Sequence, residues 1–322
     1  MSDTPPYSYT DNDVQSAFDE INRTLFNNKT SAAVPKMLVV TGIQGSGKTY
    51  LLENTLLSAG KYANCIRLYL PDYRKKHPQY AQMESKGVLH AYEHTEAFVK
   101  EVCTKIFTKA LSGKYSIIME SALDSVEFAS FPPMAVTAGY QFEVHVVACK
   151  KEFTHLSTIT RGLKSLKDKQ LERFLRAADL NASLANAQSI LTAFEEACTK
   201  VVGSQITLYE RGFGALKDRR VVCHSLCDNV ANLTPQPIKN SDGNVIKPED
   251  NLVRIERSAL KTTPSAYSAY ANIVNVDVVR HERREMVWDC QLALADTVGF
   301  REEVPVFVFT DLFAYILKYT YR

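Results

Sequence analysis

Hydrophobic positions along the chain switch between two periods. Between residues 11 and 27, Val14, Phe18, Ile21, Leu25 and Phe26 recur every three or four residues, the spacing of an amphipathic helix. Lys36 to Thr41 is a short apolar run that stops at Gly42, which predicts a buried strand entering a loop. Leu51, Leu52, Leu56 and Leu57 then predict a helix over Thr49 to Ala59, with Gly60 at the place of a C-terminal cap. The alternation continues with a strand over Cys65 to Leu70 and a long helix over Thr95 to Leu111, carrying Phe98, Val99, Val102, Ile106 and Phe107 toward a core. A strand over Tyr115 to Met119, a helical stretch around Pro132 and Pro133, and a strand over Phe142 to Cys149 follow.

Strands separated by helices argue for a parallel α/β sheet, because parallel neighbours need crossover connections and these are usually helical. Ligands of such sheets bind at the carboxyl ends of the strands. Residues 152–202 continue as a helical pattern rich in Lys, Arg, Ala and Leu, and Gln205 to Tyr209 reads as one more strand. A boundary is expected near 212–220, where Gly212 and Gly214 precede Lys217, Asp218, Arg219 and Arg220. Beyond it, Pro235, Pro237, Asn240, Ser241, Asp242, Gly243 and Pro248 predict a turn or hairpin loop, and helical patterns occupy 249–261, 278–295 and 310–320. The expected organisation is thus an α/β unit over 1–211 with a mixed α/β extension or small second domain over 212–322.

With 45% hydrophobic and 23% charged residues, the chain can bury a full core. A net charge of +2 is too small for an overall nucleic-acid-binding footprint. No apolar run approaches the roughly 20 residues of a membrane-spanning helix. No nucleic-acid or membrane partner is therefore expected. The first thirteen residues lack the apolar core of a secretory signal, so a cytoplasmic location is expected, with export as an effector left open. Seven scattered cysteines fit reduced thiols better than a disulfide framework. The close pair Cys223 and Cys227, flanking His224, has no matching second ligand pair downstream for zinc.

One segment carries explicit chemistry. Gly42, Ile43, Gln44, Gly45, Ser46, Gly47, Lys48 and Thr49 satisfy the phosphate-loop pattern GxxxxGK[ST], placed between a predicted strand and a predicted helix as that pattern requires. At average residue usage the pattern arises by chance in on the order of one chain in a hundred of this length, so its context makes it informative. Glycines turn successive backbone N–H groups around phosphate oxygens, Lys48 reaches the β- and γ-phosphates, and Thr49 supplies a hydroxyl ligand to Mg²⁺. The loop implies a nucleoside triphosphate and Mg²⁺ without naming an acceptor. No guanine-reading Asn/Thr-Lys-x-Asp motif is present. After the second strand comes Pro71-Asp72, where Asp72 is placed to take the proton of an acceptor hydroxyl, although the same pair also reads as an ordinary turn.

The sequence resembles the zeta-toxin family of P-loop kinases over about residues 9–211. The likeness rests on a helix opening at Tyr9 to Asp11, the loop Gln44 to Thr49, and the Arg-x-x-His-Pro element Arg74 to Pro78. Ile117 to Glu120, Ala138 to Tyr140 and Leu156 to Arg161 follow in the family's order and spacing. The resemblance implies a toxin that uses ATP or GTP to phosphorylate a small molecule, in the best-known branch the 3′-hydroxyl of UDP-N-acetylglucosamine, and that is restrained by an antitoxin protein.

Residue by residue, the family's catalytic Asp lies seven positions before the Pro of this element, where this chain has Pro71; Asp72, six before Pro78, is taken as the base. Glu120 matches the acid that helps hold the acceptor, with water-mediated metal contact and a plain strand-end role as alternatives. The family's Thr and Arg just beyond it are Ala122 and Asp124 here, and an anion beside a diphosphate is repulsive. Arg74, Glu120 and Asp124 form the expected acceptor set. Two lid arginines that neutralise the transferred phosphoryl group are matched by Arg161 and Arg173, with Arg176 competing for the second place and expected to face the nucleotide. By pattern alone this cationic run is a solvated helix face. Two further readings stay open: a kinase acting on NAD or another dinucleotide, and a nucleotide-binding switch or inactive scaffold.

Overall fold

The computed structural model describes residues 7–58, 60–170, 174–214, 219–237 and 265–321. A capped helix opens it: α1, Asp11–Leu25, starts at Thr10, whose hydroxyl accepts from the Asp13 amide while the Asp13 carboxylate accepts from the Thr10 amide. Then come β1 (Lys36–Thr41), α2 (Lys48–Leu51), running on into a wider π-type turn over Leu52–Leu56, and β2 (Ile66–Arg67). After them lie α3 (Tyr80–Glu84), α4 (Val88–His94), α5 (Glu96–Ser112), β3 (Ile117–Ser121), α6 (Phe131–Thr137) and β4 (Gln141–Cys149). The chain continues with α7 (Lys151–Lys167), α8 (Ala177–Lys200), β5 (Gln205–Arg211), β6 (Arg219–Leu226), β7 (Thr234–Pro235), α9 (Ser265–Val274), α10 (Arg280–Thr297) and α11 (Val306–Thr320).

The strands form one sheet in the order β2-β3-β1-β4-β5-β6-β7. The first five run parallel, β6 pairs antiparallel to β5, and β7 pairs antiparallel to β6. This is the α/β phosphate-loop architecture that the strand–helix alternation predicts. Alternate residues of β1 serve the two faces: Met37 and Val39 join a core with α1, α5, α8 and α9, whereas Leu38 and Val40 pack under α2.

Several expected elements differ in extent. The strand expected over 65–70 is only Ile66–Arg67, because the chain turns into a 3₁₀ helix at Pro71–Lys76. The helical run over 152–202 is two helices, broken after Lys167. The segment 219–226, which holds Cys223 and His224, is the antiparallel strand β6. The 249–261 helix, and most of the turn-rich stretch before it, lie outside the described residues.

Past residue 211 the chain adds to the same sheet and the same cores. Ala266, Ala269, Tyr270 and Val274 of α9 are buried with the main core. Helices α10 and α11 bury Met286, Cys290, Val308 and Leu312 against Phe153, Leu156, Ile159 and Leu163 of α7. Polar contacts along α7 reinforce this packing. Lys150 pairs with Glu282 at 2.6 Å, Glu152 accepts from Lys318 and Tyr319, and Lys167 pairs with Asp296 at 2.7 Å.

His155 is fully buried in the same seam. Its Nε2–H donates to the Leu175 carbonyl at 2.9 Å and its Nδ1 accepts from the Tyr315 hydroxyl at 2.8 Å, so the neutral ring is satisfied on both nitrogens. Burial holds its pKa below the usual histidine value, outweighing the Leu175 carbonyl and the Asp311 and Asp179 carboxylates, which pull it up. A depressed histidine stabilises the fold above the unfolded value of about 6.5, and that contribution fades as pH falls below it. Acidification from pH 7.5 to 5.5 is therefore expected to lower the thermal midpoint of the wild-type chain more than that of His155→Gln, read by thermal unfolding across pH. Parallel curves for the two proteins would contradict this.

Candidate phosphate-binding site

The loop after β1 folds as its glycines require. Gly45 has φ +85°, a left-handed conformation that disfavours side chains, and a Cβ there would run into the Thr154 carbonyl and the Thr158 methyl of α7. At Gly42 a Cβ would meet the Val147 carbonyl of β4 and the Ser46 hydroxyl. The loop is thus pressed between β4 and the first turns of α7, with Gly47 at φ +95° leading into α2. Inside it, the Ser46 amide closes a turn on the Ile43 carbonyl at 3.1 Å, and buried Lys48 donates Nζ–H to that carbonyl, also at 3.1 Å. Gln44 is half-buried in the same turn. The Ser46 and Thr41 hydroxyls are buried and, among the described residues, have no hydrogen-bond partner, as expected of a cradle that gains partners from a ligand.

Sheet register brings the acid of β3 to this loop. Val40 pairs with Glu120 and Thr41 with Ser121, so Glu120 ends its strand beside the loop. The Thr49 hydroxyl donates to Glu120 Oε1 at 2.7 Å. A hydroxyl and a carboxylate held together at the loop's exit form an all-oxygen donor set of the kind Mg²⁺ prefers.

The other expected residues are dispersed. Asp72 sits in the 3₁₀ turn after β2, on the same sheet end as the loop, with β3 between β2 and β1. Its side chain is 75% exposed and pairs with Lys75 at 2.6 Å. Arg74, by contrast, is buried. Its guanidinium donates to the Tyr69 hydroxyl, the Tyr92 carbonyl, the Thr95 hydroxyl and, at 2.5 Å, Glu96, and it lies 3.8 Å from the Tyr92 ring centroid. Expected as an acceptor ligand, Arg74 instead anchors the 3₁₀ turn to α4 and α5, because four charged or polar protein partners compensate its burial. His77 is likewise a packing residue, edge-on to Tyr9 and Phe98, with burial lowering its pKa.

Asp124 is exposed, and its carbonyl accepts from Asn186 of α8. Arg161 is exposed on α7, the helix that covers the loop. Arg176 begins α8 with its guanidinium 5.1 Å from the Phe307 ring centroid of α11, a stacking contact on the C-terminal helices. Arg173 lies outside the described residues.

One participant escaped sequence reasoning. Arg211, at the end of β5, is buried and donates from Nη1 to the Gly45 carbonyl at 2.9 Å and from Nη2 to the Ser157 hydroxyl at 3.0 Å. No motif marks it. The only sequence signal is a cation at the carboxyl end of a parallel strand.

Comparison with known proteins places this geometry in context. A family model described as Zeta toxin matches residues 19–220. Toxin PezT of Streptococcus pneumoniae serotype 4 is 25% identical over 154 residues, covering 48% of this chain and 60% of the toxin, so the chain spans less than two thirds of that relative. A solved structure of the PezAT chromosomal toxin–antitoxin system of Streptococcus pneumoniae superposes with TM-score 0.58 at 18% identity, covering 92% of this chain and 99% of its counterpart. The AvrRxo1-ORF1:-ORF2 complex with ATP superposes with TM-score 0.51 at 11% identity, over 95% and 86% of the two chains. At these identities the solved structures establish a shared fold.

The loop's packing generates a stability test. Gly45→Ala combines a disfavoured φ with overlap against α7, whereas Gly60→Ala carries a comparable φ, +69°, with open space around it. Gly45→Ala is expected to destabilise the protein by at least about 1 kcal/mol more than Gly60→Ala in denaturant unfolding. Equal losses would mean that α7 does not press on the loop.

Proposed function

Because the chain belongs to the zeta-toxin family, we propose that it is a kinase that moves the γ-phosphate of ATP or GTP to a hydroxyl of a nucleotide-like metabolite. The observation that carries this reading is the pairing of Thr49 with Glu120 at the exit of a loop that also holds buried Lys48 and a buried Ser46 hydroxyl with no partner among the described residues. In this reading the amides of Gly42 to Thr49 and the Lys48 ammonium hold the phosphates, and Gln44 and Gly47 shape the turn. Thr49 is the direct ligand for Mg²⁺, with Glu120 orienting the metal's water shell. When bound, Mg²⁺ neutralises charge on the β- and γ-phosphate oxygens.

Asp72 is the proposed base. Its exposed carboxylate sits on the sheet end where acceptors of α/β enzymes bind. Arg161, on the helix pressed against Gly45, and Arg173 are the proposed cations for the transferring phosphoryl group. Arg176 is kept for the nucleotide side of the same segment. Ala122 and Asp124 replace a hydroxyl and a cation of the family pattern, which disfavours UDP-N-acetylglucosamine and favours another acceptor, with a dinucleotide such as NAD as the second reading. One solved relative comes from the PezAT toxin–antitoxin system and another is an AvrRxo1-ORF1:-ORF2 complex. On that ground a restraining antitoxin is proposed for this chain as well.

Two experiments test the proposal. Purified protein incubated with γ-labelled ATP, Mg²⁺ and a metabolite extract is expected to yield one new labelled phosphomonoester by mass spectrometry, lost in Lys48→Ala and in Asp72→Asn. A labelled product made equally well by folded Asp72→Asn would remove Asp72 from the base role. Labelled inorganic phosphate alone would favour a switch without transfer. In the second experiment, Thr49→Ala and Glu120→Gln are each expected to raise the Mg²⁺ concentration needed for half-maximal turnover by about tenfold, the scale of one lost charge-assisted contact. An unchanged Mg²⁺ dependence in both would place the metal elsewhere.

A further inference from the structure

Arg211 is 3% exposed, and its guanidinium donates to the Gly45 carbonyl and the Ser157 hydroxyl and lies against the Cys149 thiol, all of them neutral groups. Its Nε–H is buried and has no partner among the described residues. Burying a guanidinium costs several kcal/mol unless charged or well-placed polar partners compensate it, so packing alone gives little reason for an arginine here. Its position supplies another reason. The Gly45 carbonyl belongs to the same peptide unit as the Ser46 amide, and that amide is bonded across the turn to Ile43. A donor gripping the carbonyl fixes the plane of the whole unit, and with it the turn in which Lys48 is held. Ser157 lies on α7 one helical turn before Arg161, so the two share a face of that helix. Thr154 and Thr158, flanking Ser157, are the residues against which Gly45 is pressed.

We infer that Arg211 is a positioning residue that locks the phosphate loop to helix α7, so that the loop amides and the Arg161 cation keep a fixed relation across the transferring phosphoryl group. The inference rests on the kinase reading and deepens it. Arg211 touches no reacting atom; it acts through the Gly45–Ser46 peptide on one side and through Ser157 on the other. The guanidinium fork is suited to this because its two terminal nitrogens can serve two acceptors at once in one plane. A lysine ammonium keeps the charge without that planar span.

The test is equilibrium binding of ATP with Mg²⁺ to the full chain, with the thermal midpoint of each protein followed in parallel. Arg211→Ala is expected to weaken ATP binding most, and Arg211→Lys to recover part of the loss while still binding about tenfold more weakly than wild type. Ser157→Ala, which removes one hydroxyl, is expected to weaken binding about threefold. Combined with Arg211→Lys it should add no further loss, because both changes act through one guanidinium. If Arg211→Ala does not fold, Ser157→Ala and the double variant carry the same test. Wild-type protein that binds ATP together with Arg211→Lys and Ser157→Ala that bind it equally well would overturn the Arg211 inference and leave the kinase reading standing. Wild-type protein that binds neither ATP nor GTP in the presence of Mg²⁺ would overturn the kinase reading itself.

Discussion

A single close approach organises this molecule: the absence of a side chain at Gly45 lets the first turns of α7 lie directly on the loop that follows β1. The placement of α7 and of the residues it carries toward the loop depends on that contact. With the helix seated there, Thr154 and Thr158 form one wall of the loop and Ser157 comes within reach of Arg211. Arg161 is then carried on a helix whose distance from the phosphate loop is set by backbone contact. On the opposite side, sheet register places Glu120 next to Thr49. The site is therefore pre-organised by backbone packing, which avoids much of the entropy cost of assembling flexible groups around an anion.

The C-terminal helices belong to this logic. Helix α7 has the loop against one side and α10 and α11 against another, with His155, Glu152, Lys150 and Lys167 each bonded to a residue from the last third of the chain. A helix that must hold its place against a glycine turn is stabilised from behind. The segment beyond residue 211 continues the sheet as β6 and β7 and closes the cores through α9, α10 and α11.

How much of this was legible in the sequence follows from how local each feature is. The phosphate loop could be read directly, because its donors, glycines and flanking strand are contiguous. The parallel strands were legible as apolar runs, since strands covered on both faces carry little polar alternation. Strand β6 was not, because its mixed burial and its two arginines, Arg219 and Arg220, resemble a charged loop. The break between α7 and α8 was hidden by a continuous Lys, Arg, Ala and Leu pattern. Arg74 misled for a different reason: its motif spacing marks an important residue without distinguishing a ligand from a buried anchor. Glu120 and Arg211 acquire their roles only through pairing across the sheet, β3 against β1 and β5 beside β4, which no single stretch of sequence encodes. Asp72 was found by position on a strand end, and its assignment still rests on that.

The central claim is that the turn between β1 and α2, held under α7, wraps a triphosphate. A crystal structure of the chain with Mg²⁺ and a non-hydrolysable ATP analogue tests it most directly. The account predicts β- and γ-phosphates inside the Gly42 to Thr49 turn, the metal on the Thr49 hydroxyl facing Glu120, and Arg211 still on the Gly45 carbonyl. An analogue bound at any other surface, with that turn unchanged and vacant, would contradict it.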